Sequence, residues 1–326
     1  MSNKSSLINV LLWVILASMW GSSFAMIKLG VASLDPVVIV AGRMLIGAVL
    51  IFCVLIWAGQ RLSSNAKVWL SYTIAGLLGS TIPFVMITYG EQSVDSALAS
   101  ILMGVAPVAT VVLAATVLPD EKLTKRVVTG LVFAVMGVVI LVGPSALHSL
   151  GDDFIGQLSI ICAALCYAAN TVYVKCCVRR PALEMASGST LVGAFSILLV
   201  TFFMGKHEFI IEPTMMSIGA VVYLGVFSTG CANLIYFYLV PRIGATRMSQ
   251  INFAVPVMGS LIGFFFLNEM LTLRHLLALA VIVFAVYQID LRFRSYNLIT
   301  TTLDSYDDYL VTKAMYKENL SQKVSP

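Results

Sequence analysis

One hydrophobic pattern, written twice along the chain, decides most of what this sequence can fold into. Apolar runs of roughly twenty residues recur at about 7–29, 37–58, 68–90, 96–118, 127–143, 155–176, 185–204, 215–238, 246–267 and 273–290. A helix rises about 1.5 Å per residue, so such a run crosses a hydrocarbon layer about 30 Å thick. The runs fall into two sets of five. Five is odd, so the second set starts on the far side of the bilayer and is inserted upside down. The expected fold is an all-α integral membrane protein with ten transmembrane helices in two inverted five-helix repeats. Inverted repeats around a midplane site are the architecture of secondary transporters.

Composition excludes the obvious rivals. Charged residues make up 11% and apolar residues 59%, whereas a soluble domain carries about a quarter charged. A transmembrane β-barrel would show alternating segments of about ten residues, and the long unbroken runs do not alternate. Lys4 and Ser23-Phe24-Ala25 imitate a signal peptide, but the first run exceeds a usual h-region and has a counterpart at 155–176, so it reads as an uncleaved span. The six cysteines (Cys53, Cys162, Cys166, Cys176, Cys177, Cys231) sit in or at the ends of these runs, and no disulfide framework is expected. Cys162 and Cys166 share a helix face, yet nothing completes a metal set, so no metal or other cofactor is expected.

Lys and Arg accumulate on the cytoplasmic side of a membrane protein. With the N-terminus inside, fifteen of them fall on the inner side, among them Arg61, Lys67, Lys125, Arg126, Arg179, Arg180, Arg242 and Arg292. Only Lys206 and Arg274 fall on the outer side. The net charge of +4 therefore reflects topology, not nucleic-acid binding. The organisation that follows is a cytoplasmic N-terminus (1–6), a first repeat (7–143), an extracytoplasmic linker (144–154), a second repeat (155–290) and a cytoplasmic tail (291–326). In the tail, Leu303, Tyr306, Leu310 and Ala314 keep helical spacing, and a short surface helix or disorder both fit.

Landmarks repeat in order at an offset drifting from 146 to 149 residues. Gly42 and Gly47 match Gly188 and Gly193, Lys28 matches Lys175, Trp20 aligns with Tyr167, Glu121 with Glu269, and Pro107 with Pro256. Arg43 has no cationic twin, since Ser189 stands opposite it. The segments WGSSFAMIKLG (20–30), AGRMLIGAVL (41–50), SALASILMGVAPVATVVLAATVLPDEKLT (96–124) and GLVFAVMGVVIL (130–141) resemble the EamA family of the drug/metabolite transporter superfamily. The resemblance spans about residues 7–290 and rests most on a proline in the fourth and ninth runs followed thirteen or fourteen residues later by Glu. Asn268 departs from the small residue usual before the second Glu. It implies two inverted five-helix repeats and export or uptake of small metabolites such as amino acids.

Polar groups inside lipid are costly and tend to face a protein interior. Trp20, Ser22, Tyr89, Ser100, Tyr167, Asn170, Asn233, Tyr236 and Asn252 are accordingly the candidates for a polar pathway, with interhelical hydrogen bonding as the structural alternative. Arg43 is a candidate holder of a substrate carboxylate; the alternatives are snorkelling or pairing with Asp35. Lys28 and Lys175, near opposite surfaces, either snorkel or gate an anionic group. Pro83, Pro107 and Pro256 are the expected helix kinks. Glu91, Glu121 and Glu269 lie near the surfaces, the latter two as caps, which leaves no acid at mid-membrane.

The chain has no GxxxxGK[ST], HExxH or GxSxG motif, and no enzyme is expected. The reading is a multi-pass bacterial inner-membrane protein, with both termini cytoplasmic, monomeric or homodimeric in the lipid bilayer. It exports small metabolites such as amino acids by alternating access without ATP hydrolysis. A multidrug or nucleotide-sugar-like transporter is the nearest alternative; an intramembrane enzyme or a non-transporting scaffold is the alternative of another class.

Overall fold

The computed structural model describes residues 3–94, 96–119, 121–142, 153–203, 213–267, 273–274 and 276–289, with helices at every regular element. Most of the linker, Glu269 with Asn268, and the tail from 291 lie outside the described residues, as do the side chains of Ser100 and a few helix-end positions.

Each apolar run corresponds to helix. They are α1 (Asn3–Val31), α2 (Pro36–Trp57), α3 (Ala66–Gly76), α4 (Ile82–Gly90), α5 (Ser96–Leu102), α6 (Val105–Val117) and α7 (Lys125–Val142) in the first half. The second half contains α8 (Phe154–Cys177), α9 (Ala182–Phe203), α10 (Met215–Tyr223), α11 (Ala232–Ile243), α12 (Ala245–Ser249), α13 (Ile251–Leu267) and α14 (Leu276–Ile289). Among the described residues six helical stretches are long and apolar enough to cross a membrane: Leu7–Val31, Pro36–Trp57, Ala66–Gly90, Phe154–Cys177, Ala182–Phe203 and Met215–Ile243. Six of the ten expected spans thus meet the length and apolarity of a full crossing among the described residues. The fourth and ninth runs are each two helices, α5–α6 and α12–α13, and the last described run is short.

The breaks follow from backbone chemistry. Proline lacks an N–H, and its ring crowds the carbonyl four residues back. Pro107 lies three residues into α6, so the interruption falls at Met103–Gly104, with Ala106 N–H bonded only to the Met103 carbonyl at 3.0 Å. The ninth run breaks at Gln250, six residues before Pro256, which lies inside α13. Pro83 follows a π-helical segment, Leu77–Thr81, that joins α3 to α4. A second π segment, Leu224–Cys231, joins α10 to α11 without a proline. The eighth run also continues through Pro241 to Ile243, beyond the expected end.

Helix starts are set by side-chain caps. Asp35 accepts from Val37 N–H at 2.8 Å, with Pro36 at the first helical position, and Asn65 accepts from Lys67 N–H at 2.8 Å.

The two halves interlock. α1 packs on α13 and on α10, in the ninth and eighth runs; α8 packs on α6 and on α4, in the corresponding fourth and third runs. α2 and α9 meet each other, and each lies against a π segment of the opposite half. This reciprocity is what two copies of one unit related by a twofold axis produce. Glycines let the backbones approach: a β-carbon on Gly21 would strike the Val255 carbonyl at 2.7 Å, and one on Gly225 would strike Ile46 at 2.5 Å. Outside, large apolar side chains such as Val49, Trp57, Phe195, Phe202 and Met215 are exposed, as suits a chain whose solvent is lipid. Among the apolar clusters of the interior are one around Leu16, Tyr72 and Val240 and one around Ile39, Leu98 and Ile160.

Candidate functional site

Between those clusters lies a cavity of about 790 Å³ including its mouth. α1 supplies Trp20, Ser23, Phe24 and Ile27, a single face at i, i+3, i+4, i+7. α2 adds Arg43, and α4 adds Phe84 and Ile87; Met103 comes from the break before α6. The second half gives Tyr167 and Thr171 from α8 and Tyr236 from α11. Met248, Ser249, Ile251, Asn252 and Val255 come from both sides of the α12–α13 break. Both halves thus build the wall, and the helix interruptions place short-range backbone irregularity beside it.

Arg43 is the cation of this wall. It is 3% exposed, its Nε donates to Thr229 Oγ1 at 3.1 Å, and its guanidinium carbon lies 3.8 Å from the Phe84 ring centre. A position over an aromatic face is a favourable seat for a guanidinium. No carboxylate stands within ion-pair distance of it among the described residues. Asp35, a partner considered from sequence, caps α2 instead, and burial rules out snorkelling.

The same wall carries a hydrogen-bonded aromatic corner. Thr171 Oγ1 donates to the Tyr167 carbonyl at 2.8 Å, so the Tyr236 hydroxyl donates to Thr171 Oγ1 at 3.1 Å and accepts from Asn170 Nδ2 at 3.1 Å. The Trp20 and Tyr236 rings lie 6.1 Å apart at a tilt of 44°. Asn252 donates from Nδ2 to the Ser249 carbonyl at 3.1 Å, and its own carbonyl oxygen has no hydrogen bond among the described residues.

Trp20, Arg43, Tyr167, Tyr236 and Asn252 are brought together on the wall, and Asn170 stands directly behind Tyr236. Others lie elsewhere. Ser22 turns to Met19 and Tyr223, and Asn233 donates to Thr190 at 2.9 Å between α11 and α9. Tyr89 and Lys28 are exposed, and Lys175 reaches the Pro241 carbonyl at 3.5 Å. None of these five lines the cavity. Of the kink prolines, Pro83 is buried within the third run and none of the three contacts the cavity.

Sequence reasoning passed over Phe24, Phe84, Thr171 and Met248. Phe24 was within reach, one turn from Trp20. Phe84 has no such signal, because only the fold sets it beneath Arg43. The burial of Glu91 and Glu121 was missed too. Glu91 is 0% exposed, with no hydrogen bond to either carboxylate oxygen among the described residues, and Thr88 Oγ1 one turn before it is equally unpartnered. Glu121, at 2% exposure, accepts from the Ala245 and Thr246 N–H groups at 2.6 and 2.7 Å. It caps α12 from the other half of the chain.

The EamA-like transporter family model matches residues 7–143 and again 154–289. An uncharacterized transporter of Bacillus subtilis, YoaV, is 26% identical over 86% of this chain and 96% of its own. An uncharacterized transporter of Archaeoglobus fulgidus is 29% identical over 84% of this chain and 97% of its own. The uncharacterized inner membrane transporter YedA of Escherichia coli is 26% identical over 83% and 87%. A crystal structure with 20% identity superposes with a TM-score of 0.72 over 90% of this chain and 99% of that one, a likeness of fold.

Proposed function

The chain belongs to the EamA-like transporter family, and from that premise we propose that it carries small amino-acid-like carboxylates across a bacterial inner membrane. The observation that carries this reading is Arg43, a buried cation on a cavity wall built by both halves, with no carboxylate within ion-pair distance among the described residues. A buried charge left unpaired is expensive, and a ligand carboxylate accepting from its terminal nitrogens relieves that cost. The free Asn252 carbonyl suits a ligand ammonium, and Trp20, Phe24 and Tyr236 suit an apolar side chain.

Ten spans in two inverted repeats, with both termini cytoplasmic, complete the proposal. The halves would rock about the cavity in alternating access, with no ATP hydrolysis. The direction of net flux is then set by what is co-transported.

The test is counterflow into liposomes holding the purified protein, with labelled amino acids and their decarboxylated amines as the panel. Exchange is expected for at least one amino acid and absent for the matching amine. Arg43→Gln should cut that exchange about tenfold or more, the worth of one charge-assisted hydrogen bond. Transport of apolar cations that ignores Arg43→Gln would overturn the reading.

A further inference from the structure

Three oxygen atoms within one turn of the chain are buried without a partner among the described residues: Thr88 Oγ1 and both carboxylate oxygens of Glu91. Such groups are rare, because each loses its hydration without compensation. An ionised carboxylate in that position is worse still, since its full charge is desolvated. Glu91 lies just past the end of the Ala66–Gly90 stretch, and Ile87, one turn earlier, is on the cavity wall.

The surroundings specify which ligand relieves the site. Lys28 of α1 and Arg43 of α2 are the cations that act on Glu91. From α8 come Tyr167, beside Arg43, and at its N-cap Asp153, whose carboxyl Ser93 and the Gly156 N–H hold below the usual range. A metal cation fits poorly: hard cations gather about six or more oxygens, and two positive side chains already oppose one. A proton needs only one carboxylate oxygen.

We propose that Glu91 is a proton-binding site, loaded together with an anionic substrate at Arg43. This rests on the reading of the cavity as a carboxylate site. With the cavity empty, the field of Arg43 draws Glu91 toward its ionised form. A carboxylate docked on Arg43 cancels that field, so Glu91 holds a proton drawn from extracytoplasmic water more tightly. By reciprocity, a protonated Glu91 leaves Arg43 free to hold the substrate. Burial acts in the same sense, pushing the Glu91 carboxyl up to about 8 against the pull of Lys28 and Arg43. Proton and anion then travel together, and an inward proton gradient drives uptake, opposite to the export expected in the sequence reading.

The experiment is infrared titration of the full chain in phosphatidylcholine nanodiscs, reading the carbonyl stretch of protonated carboxyl groups. A band is expected at neutral pH that disappears in alkali and is missing in Glu91→Gln. Glu91→Asp, which keeps the acid, displaces the band and secures the assignment if Glu91→Gln folds poorly. Arg43→Gln should raise the midpoint by about one pH unit or more, and Arg43→Lys should leave it nearly in place. Absence of a Glu91 band at neutral pH overturns the proposal, as does a midpoint indifferent to Arg43→Gln. If the band behaves as expected while no amino acid exchanges in liposomes, the proton site stands and the substrate reading falls.

Discussion

At the scale of single residues, the chemistry is concentrated in side chains that lack symmetry mates. Arg43 faces Ser189 in the repeat, and Ser189 merely bonds the Met185 carbonyl at 2.6 Å. Charge therefore enters the cavity from one half only. Glu91 gives a stability prediction whose sign is fixed by linkage. Its folded carboxyl titrates near 8 instead of 4.5, so between those values the folded state holds more protons than the unfolded one. Stability should fall as pH rises through that window and level off above it. Glu91→Gln should flatten the slope, which thermal unfolding across the pH range would reveal. Tyr236→Phe removes the hydroxyl that joins Asn170 to Thr171, and should cost about 1–3 kcal/mol because the buried Asn170 amide loses its partner. Denaturation of the purified variant measures this directly. How legible were these residues? Trp20, Arg43, Tyr167, Tyr236 and Asn252 were nameable because polar and aromatic groups in an apolar run are few. Ser22 and Asn233 met the same criterion yet bond neighbouring helices, since composition does not say which way a helix is rotated.

At the scale of elements, the discontinuous helices matter most. Hydropathy revealed each apolar run but not its interruption, because Met103–Gly104 and Gln250 are ordinary residues for a membrane helix. The prolines signalled irregularity nearby, and misplaced it by three and six residues. The π segments were illegible: the second has no proline to announce it. Capping was better marked. Glu121 was read as a cap from its loop position, but the helix it serves belongs to the other half and could not be inferred from neighbours in sequence. At the same end of the molecule the Tyr72 hydroxyl donates to Glu184 Oε1 at 2.6 Å, while Arg180 pairs with that same oxygen at 2.7 Å. These two carboxylates tie the halves together around the α12 end of the cavity. Glu121→Ala leaves two buried N–H groups of α12 unsatisfied, and should lower stability by about 2 kcal/mol or more. Glu121→Gln should lose less, since its carbonyl oxygen still accepts one of them. A comparison of the two melting temperatures checks the assignment.

For the whole molecule, the duplication was plain in the sequence because glycine, proline and lysine landmarks recur in order. The interlock of the halves was not, since an offset says nothing about which surfaces meet. Neither half buries its own interior: α1 is covered by α10 and α13, and α8 by α4 and α6. Expressed separately, residues 1–150 and 151–326 should each aggregate or be degraded, whereas co-expression should return a complex of full-length size. Size-exclusion chromatography in detergent distinguishes the outcomes, and a stable, monodisperse single half would refute the interlock.

The glycine seams between the halves restrict how they can move. At Gly21, Gly76 and Gly90 the bare backbone of one half lies against the carbonyls of Val255, Ser189 and Gly156 on the other. Prising those strips apart would forfeit the close backbone packing that the missing β-carbons allow. Shear along the strips keeps each carbonyl covered throughout the stroke. A drug that wedges between the halves would therefore jam the carrier without having to occupy its cavity.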